Sequence, residues 1–304
     1  MHDSSSKIAE VPAPAKINLC LHVGARRSDG YHPVCSVMEK IRLFDTLRTM
    51  PEAEGTGIRL TGSDIPPEEN IVMRAARALE REIGRNLDVD IELKKEIPVA
   101  AGLAGGSSDA AAILKLLVFM FDLEVPRERL QAVALELGVD VPFFLATGPQ
   151  LAQGVGDRLE PVEDFPDYAI VLVKPLVALS TAKVYERYDE MPGRSHSGRA
   201  AGDPETTGFE QRCRQLRDGL ADLRGAESLA AILHNDLEAP ARTFFPDLDR
   251  LKEEIMATGA LGALMSGSGS AVFGIFMDRD AADAAATRLR PSYRQVWAAE
   301  PFRE

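Results

Sequence analysis

The chain has 304 residues, long enough at roughly 150 residues per domain for about two domains, each with a core of its own. Hydrophobic residues make up 45% and charged residues 27%, which excludes a disordered or collagen-like chain. Lys and Arg total 35 against 47 Asp and Glu, a net charge of -12 and the wrong sign for a general nucleic-acid binder, so any phosphate chemistry must be local.

The opening stretch MHDSSSKIAEVP carries no apolar core of the length a secretion signal needs. Lys16 to Val23 then alternates, with Ile17, Leu19, Leu21 and Val23 on one face and Lys16, Asn18, Cys20 and His22 on the other, which predicts a strand with a polar face. Asp29-Gly30 is a turn signal that puts Tyr31 and His32 on a loop. Ile71, Ala75, Ala78, Leu79 and Ile83 recur at helical spacing within Asn70 to Ile83, and Val89, Ile91 and Leu93 alternate toward Pro98. Helices are expected at Ala110 to Phe121, an apolar run interrupted by Lys115 and too short to cross a bilayer, and at Arg127 to Leu137, closed by Gly138.

In the second half, Ala169 to Val173 and Ala271 to Met277 read as buried strands, with helical patterns at Gln211 to Leu223 and Leu248 to Ala257. Met191 to Thr207 is poor in large apolar residues and reads as a flexible insertion. Pro161 to Asp167 is the expected boundary between a domain over 1–165 and one over 166–304, both mixed α and β. The cysteines Cys20, Cys35 and Cys213 are odd in number and have no CxxC spacing, which argues against a disulfide framework and a structural zinc site. A reducing, cytoplasmic setting is the expectation, with neither nucleic acid nor membrane as partner.

The segment PVAAGLAGGSSD, residues 98–109, carries the chemistry. Gly102, Gly105 and Gly106 with Ser107 and Ser108 precede a helix whose N-terminus offers unpaired N–H groups and a positive dipole end, and glycines let the backbone approach phosphate oxygens. The same residues would also serve as a flexible turn with a serine N-cap. No Gly-Lys dipeptide forms a GxxxxGK[ST] loop, no GxGxxG follows a strand, and HRD, DFG, GxSxG and HExxH are missing. P-loop, dinucleotide-fold, protein-kinase, serine-hydrolase and zincin readings therefore lack their anchors.

PVAAGLAGGSSDAA resembles the ATP-binding signature of the GHMP small-molecule kinases, Pro-x-x-x-Gly-Leu followed by small residues and Ser-Ser. PAKINL (14–19), DGYH (29–32), LGVDVPFF (137–144), QGVGDRLEP (153–161) and SGSGSAVFG (266–274) extend the likeness from about Pro14 to Phe276. They point to the branch of the family that phosphorylates the 2-hydroxyl of cytidine diphosphate methylerythritol on the non-mevalonate route to isoprenoid precursors. Ala104 stands where the family often has glycine, which matters if that position needs positive φ.

The resemblance implies an α+β, mixed α/β fold of two lobes with the active site in the cleft between them. ATP would lie on Pro98, Val99, Ala100, Ala101, Gly102, Leu103, Ala104, Gly105, Gly106, Ser107 and Ser108, with Mg²⁺ on its phosphates and Asn70 reaching the nucleotide. Lys16 and Asp140 match the family's catalytic pair. Tyr31 and Tyr185 would cover the two faces of the cytosine and His32 its polar edge, while Asn18 and Thr181 meet the substrate's polar groups. Plainer readings stay open at this stage: a solvated lysine at a strand start, Asp140 or Asn70 as helix caps, and the tyrosines as packing residues. A kinase of mevalonate, homoserine or a sugar would share the ATP loop, and a ligand-binding sensor would keep the fold without turnover.

Overall fold

The structure, a computed structural model, describes residues 8–192 and 204–303. In chain order, β1 (Ala9–Val23), β2 (Val34–Pro51) and β3 (Ile58–Thr61) precede α1 (Ile71–Ile83), β4 (Val89–Lys94), α2 (Gly105–Met120), α3 (Arg127–Leu137) and α4 (Val141–Leu145). Then come β5 (Gln150–Gln153), β6 (Arg158–Pro161), β7 (Ala169–Val173), α5 (Thr181–Asp189), α6 (Pro204–Ala221), α7 (Ala226–Ala231), β8 (His234–Asn235) and α8 (Glu238–Ala241). The chain ends with α9 (Leu248–Met256), β9 (Gly262–Met265), β10 (Val272–Phe276), α10 (Arg279–Leu289) and β11 (Val296–Ala299). The expected mixed α and β composition is observed.

Two compact units share these elements, and β1 and β2 each pass from one into the other. The first comprises the chain through Ala15, Leu43–Ile97 and Ala104–Thr147. In it β3 lies parallel to β4, and β4 pairs antiparallel with the end of β2, from Thr46↔Lys94 to Pro51↔Val89. Asn70 caps α1 by accepting the Val72 N–H at 2.9 Å, and Gly84 ends it in the left-handed region at φ 67°. Over its middle turns α2 is apolar almost all round, from Ala110 to Leu117, and α1, α3 and α4 pack on it.

The second unit comprises Lys16–Arg42, Pro98–Leu103 and the chain from Gly148 onward. Its antiparallel sheet has the order β11-β7-β10-β9. The apolar run Ala169–Val173 is buried on both faces, against Leu251 and Ile255 of α9 and Ala282 and Ala286 of α10 on one of them. The start of β2 pairs with β5, and the end of β1 runs parallel to β8 with Cys20 beside His234.

Several expectations change. The solvated lysine of the plainer reading is not observed: Lys16, Asn18 and Cys20 are buried on β1, an interior strand of its sheet between β2 and β8. The helix expected from Ala110 starts five residues earlier at Gly105, so Gly105, Gly106, Ser107 and Ser108 form its first turn. The insertion expected over Met191–Thr207 runs into α6, whose first residue is Pro204, a favoured start because proline's missing N–H is spared there. Residues 193–203 of that segment lie outside the described residues.

The C-terminal residues close onto β2: Phe302 N–H bonds Lys40 O at 2.9 Å and Arg42 N–H bonds Glu300 O at 2.9 Å. Beneath them Glu39 is wholly buried; one carboxylate oxygen has no partner and the other accepts from Arg303 at 3.4 Å. Burial pushes the Glu39 carboxyl up to about 7, against the pull of Arg303. A carboxyl that titrates higher folded than unfolded binds its proton more tightly in the native state, so its contribution to stability falls as pH rises from about 4.5 to 7. Glu39→Gln should remove that slope, and chemical denaturation at pH 5 and pH 8 should show the variant gaining on the wild type at the higher pH; parallel losses at both would contradict the assignment.

Candidate active site

Lys16 sits where β1 meets the glycine-rich segment: its backbone N–H donates to Leu103 O at 3.1 Å. Its ammonium donates to the Asn18 side-chain carbonyl, Asn18 Nδ2 donates to Ser36 Oγ at 2.7 Å, and Ser36 Oγ donates to Cys20 O at 2.7 Å. These bonds are among those that hold the buried lysine at a set position.

Two turns enclose this lysine. Gly102, at φ 76°, lies so close to the 266–270 turn that a Cβ would stand 2.0 Å from Ser266 O. Ser266 Oγ donates to Gly102 O at 3.0 Å, and Ala271 N–H to Ala101 O at 3.1 Å. A Cβ on Gly267 would lie 3.5 Å from Lys16 Nζ and 3.2 Å from Asn18 Oδ1. The second turn is pinned by Asn235, whose Nδ2 donates to Met265 O and Gly267 O at 2.8 Å each. Within 98–103, Ala101 and Leu103 are buried anchors while Val99 and Ala100 face outward.

The segment continues into α2. Ala104 occupies its N-cap position at φ 53° with no side chain to cap the helix, and Ser108 N–H reaches back to Ala104 O at 3.0 Å. The methyl at position 104 therefore does matter, since it sits in a left-handed conformation that favours glycine. Neither serine is the N-cap: Ser107 and Ser108 lie in the first turn, and Ser108 Oγ is buried with no hydrogen-bond partner. An uncapped helix start of small residues with a buried unsatisfied hydroxyl fits a phosphate group and its magnesium.

Below this turn, Lys95 bonds the carboxylates of both Asp45 and Asp109, and Asp45 Oδ1 accepts the N–H groups of Glu96 and Ile97 at 2.6 and 2.8 Å. Burial pushes the Asp109 carboxyl up to about 7 despite Lys95, with Asp45 adding to the rise. Burial alone would lower Lys95, but the two acids hold it above its ordinary range. A Cβ on Gly105 would meet Ile97 Cγ2 at 3.0 Å and Asp45 Oδ2 at 3.3 Å, so this network sets the path of the loop. Nothing in the local sequence pattern marks Asp45, Ser36 or Asn235. Asn235 reads as an ordinary cap, which it is for Leu237 N–H at 2.9 Å.

Asn70 is committed as an N-cap, with Oδ1 on Val72 N–H and Nδ2 on Ser63 Oγ at 2.9 Å. Asp140 is half-buried at the N-cap position of α4, yet its side chain makes no capping bond, so a cap role does not explain it. Thr181 begins α5 and shares a 2.7 Å hydrogen bond with Ser268 of the 266–270 turn. His32 is buried, with Nδ1 3.0 Å from Gly24 O and Nε2 3.4 Å from Asp189, and it packs on Tyr185 with ring centroids 5.2 Å apart. Tyr31 is 58% exposed, its N–H held by Asp29 at 3.1 Å. The second unit thus gathers Lys16, Asn18, Gly102 and Thr181 around the 266–270 turn, and His32 with Tyr185 around Asp189. Arg26, Arg27, Lys94 and Lys95 each face a carboxylate.

The three glycines of the motif differ in what they require. Gly102→Ala should cost at least about 2 kcal/mol through the clash with Ser266 O. Gly106→Ala, whose Cβ would meet only Ile71 at 3.6 Å, should stabilise α2 by up to about 1 kcal/mol. Ala104→Gly should also stabilise, by up to about 1 kcal/mol, through relief of left-handed strain. Urea unfolding of the three variants tests the ranking, and equal losses at positions 102 and 106 would refute it.

Family models for the GHMP kinases N terminal domain and the GHMP kinases C terminal domain match residues 70–148 and 216–295. A 4-diphosphocytidyl-2-C-methyl-D-erythritol kinase of Syntrophotalea carbinolica is 41% identical over 293 residues, covering 94% of this chain and 95% of the relative. One from Pelotomaculum thermopropionicum is also 41% identical, covering 95% and 96%. A crystal structure of 4-(cytidine 5'-diphospho)-2C-methyl-D-erythritol kinase superposes with a TM-score of 0.76 at 35% identity, covering 96% of this chain and 99% of the other. A mevalonate kinase at 12% identity and a TM-score of 0.71 shares the fold alone. Near-full-length likeness at this level leaves one assignment: the chain belongs to the GHMP kinases, in the 4-diphosphocytidyl-2-C-methyl-D-erythritol kinase family.

Proposed function

We propose that this protein transfers the γ-phosphoryl group of ATP to the 2-hydroxyl of 4-diphosphocytidyl-2-C-methyl-D-erythritol, in the methylerythritol phosphate route to isoprenoid precursors. The observation that carries the reading is the buried Lys16, tied through its backbone to Leu103 and flanked by the interlocked turns at Gly102 and Gly267. Phosphoryl transfer asks little covalent chemistry of a protein beyond positioning the reactants and holding positive charge at the transferring group, and a fixed lysine beside a backbone cradle answers both needs.

Pro98 to Ser108 hold the triphosphate, Asn70 approaches the nucleotide, and Ser107 and Ser108 offer their hydroxyls toward Mg²⁺. Bound there, the metal neutralises charge on the phosphate oxygens. Asp140 accepts the proton of the 2-hydroxyl as that oxygen bonds to the γ-phosphorus and the bond to the bridging oxygen of ADP breaks. Lys16 steadies the charge that develops on the transferring oxygens and keeps Asp140 ionised. Tyr31, His32 and Tyr185 receive the cytosine, with Asn18 and Thr181 on the acceptor's polar groups. The proposed domains run over 1–165 and 166–304, one family model falling within each, and a cytoplasmic location suits a pathway of phosphorylated intermediates.

ATP consumption with Mg²⁺ should be confined to the cytidine diphosphate methylerythritol when mevalonate, homoserine and galactose are offered in parallel. Asp140→Asn should lower it by about 10²- to 10⁴-fold with nucleotide binding retained. Turnover of another acceptor would keep the ATP site and discard the roles of Tyr31, His32 and Tyr185, and near-normal turnover of Asp140→Asn would remove the base.

A further inference from the structure

The parallel pairing of β1 with β8 brings together three side chains that have no part in the phosphoryl-transfer site. His22 stands near the end of β1, His234 opens β8, and Asp236 follows it. Cys20 lies beside His234 in the register, and Asp236 N–H donates to Leu21 O at 3.0 Å, which fixes the backbone on which the three are mounted. One ligand atom from each of His22, His234 and Asp236 lies within 4.8 Å of the other two. The imidazole rings are 4.6 Å apart between centroids, and His234 Nε2 is 2.9 Å from Asp236 Oδ1.

We propose that His22, His234 and Asp236 bind a first-row divalent transition ion of the Zn²⁺ class, clipping the end of β1 to β8. Two imidazoles and one carboxylate are a ligand set suited to zinc, with a fourth position left for water. With bonds of about 2.0 to 2.2 Å, a tetrahedral ion spaces its ligand atoms about 3.3 to 3.6 Å apart, so the set needs only side-chain rotation to close. The second Asp236 oxygen is already oriented, accepting from Val23 N–H at 2.8 Å and Arg212 at 3.4 Å, as carboxylate ligands commonly are.

His22 Nδ1 is buried with no hydrogen-bond partner, a cost that a coordinate bond to that nitrogen would offset. Mg²⁺ prefers oxygen ligands in octahedral array, so the ion that serves the nucleotide is a poor competitor here.

The test is calorimetric titration of Zn²⁺ into the untagged full chain with excess Mg²⁺ present, read together with the melting temperature. Uptake of a single equivalent with a rise in melting temperature is expected. His234 is 46% exposed, so His234→Ala should leave the fold intact and weaken Zn²⁺ at least tenfold, as should His22→Gln, while Cys213→Ser leaves it unchanged. Co²⁺ in place of Zn²⁺ should show no thiolate charge-transfer band. Absence of uptake, uptake indifferent to His234→Ala, or a thiolate band lost in Cys213→Ser would each overturn the site.

Discussion

The arrangement depends on one close approach, the main chain of Gly102 against the carbonyl of Ser266. Any side chain at 102 would strike that carbonyl, so the 98–103 and 266–270 turns can interlock only with glycine there. The interlock fixes Leu103, Leu103 accepts the backbone of Lys16, and the ammonium of Lys16 is thereby set beside Gly267 and Asn18. Two segments more than 160 residues apart in sequence define the position of one charge.

This reliance on backbone contacts explains the choice of residues. Ser266, Asn235 and Ser36 spend their polar atoms on carbonyls and hydroxyls that would otherwise be buried unsatisfied, and none of them carries charge. Asp45 and Asp109 gather around Lys95, where they shape the approach to the first turn of α2. Asn18 and Ser36 at the lysine and the Lys95 network beneath the helix both hold the glycine-rich segment's surroundings in place.

Much of this was legible in the sequence because periodicity reports burial directly. Arg127–Leu137 and Ala169–Val173 have the expected bounds, since a run of helix formers ended by glycine and a continuous apolar strand leave clear patterns. The start of α2 was not legible: glycines argue for a loop by propensity, and tertiary packing of Gly105 against Ile97 and Asp45 overrides it. The buried polar face of β1 was hidden for a similar reason, because alternation shows two faces but not what covers the polar one. His22, His234 and Asp236 come together by strand pairing alone, at a separation no spacing motif describes.

The pairing of Arg26, Arg27, Lys94 and Lys95 with carboxylates bears on how ligands arrive. With these cations matched and a net charge of -12, the far field around the protein repels a polyphosphate, and the attraction proposed at Lys16 and the helix start acts only over the last few ångströms. Dissolved ions shorten the reach of the repulsive field to about 8 Å at physiological ionic strength and leave buried contacts almost untouched. Capture of anionic ligands should then quicken as salt is added, the reverse of electrostatic steering, and selectivity rests on fit at contact rather than on attraction from afar.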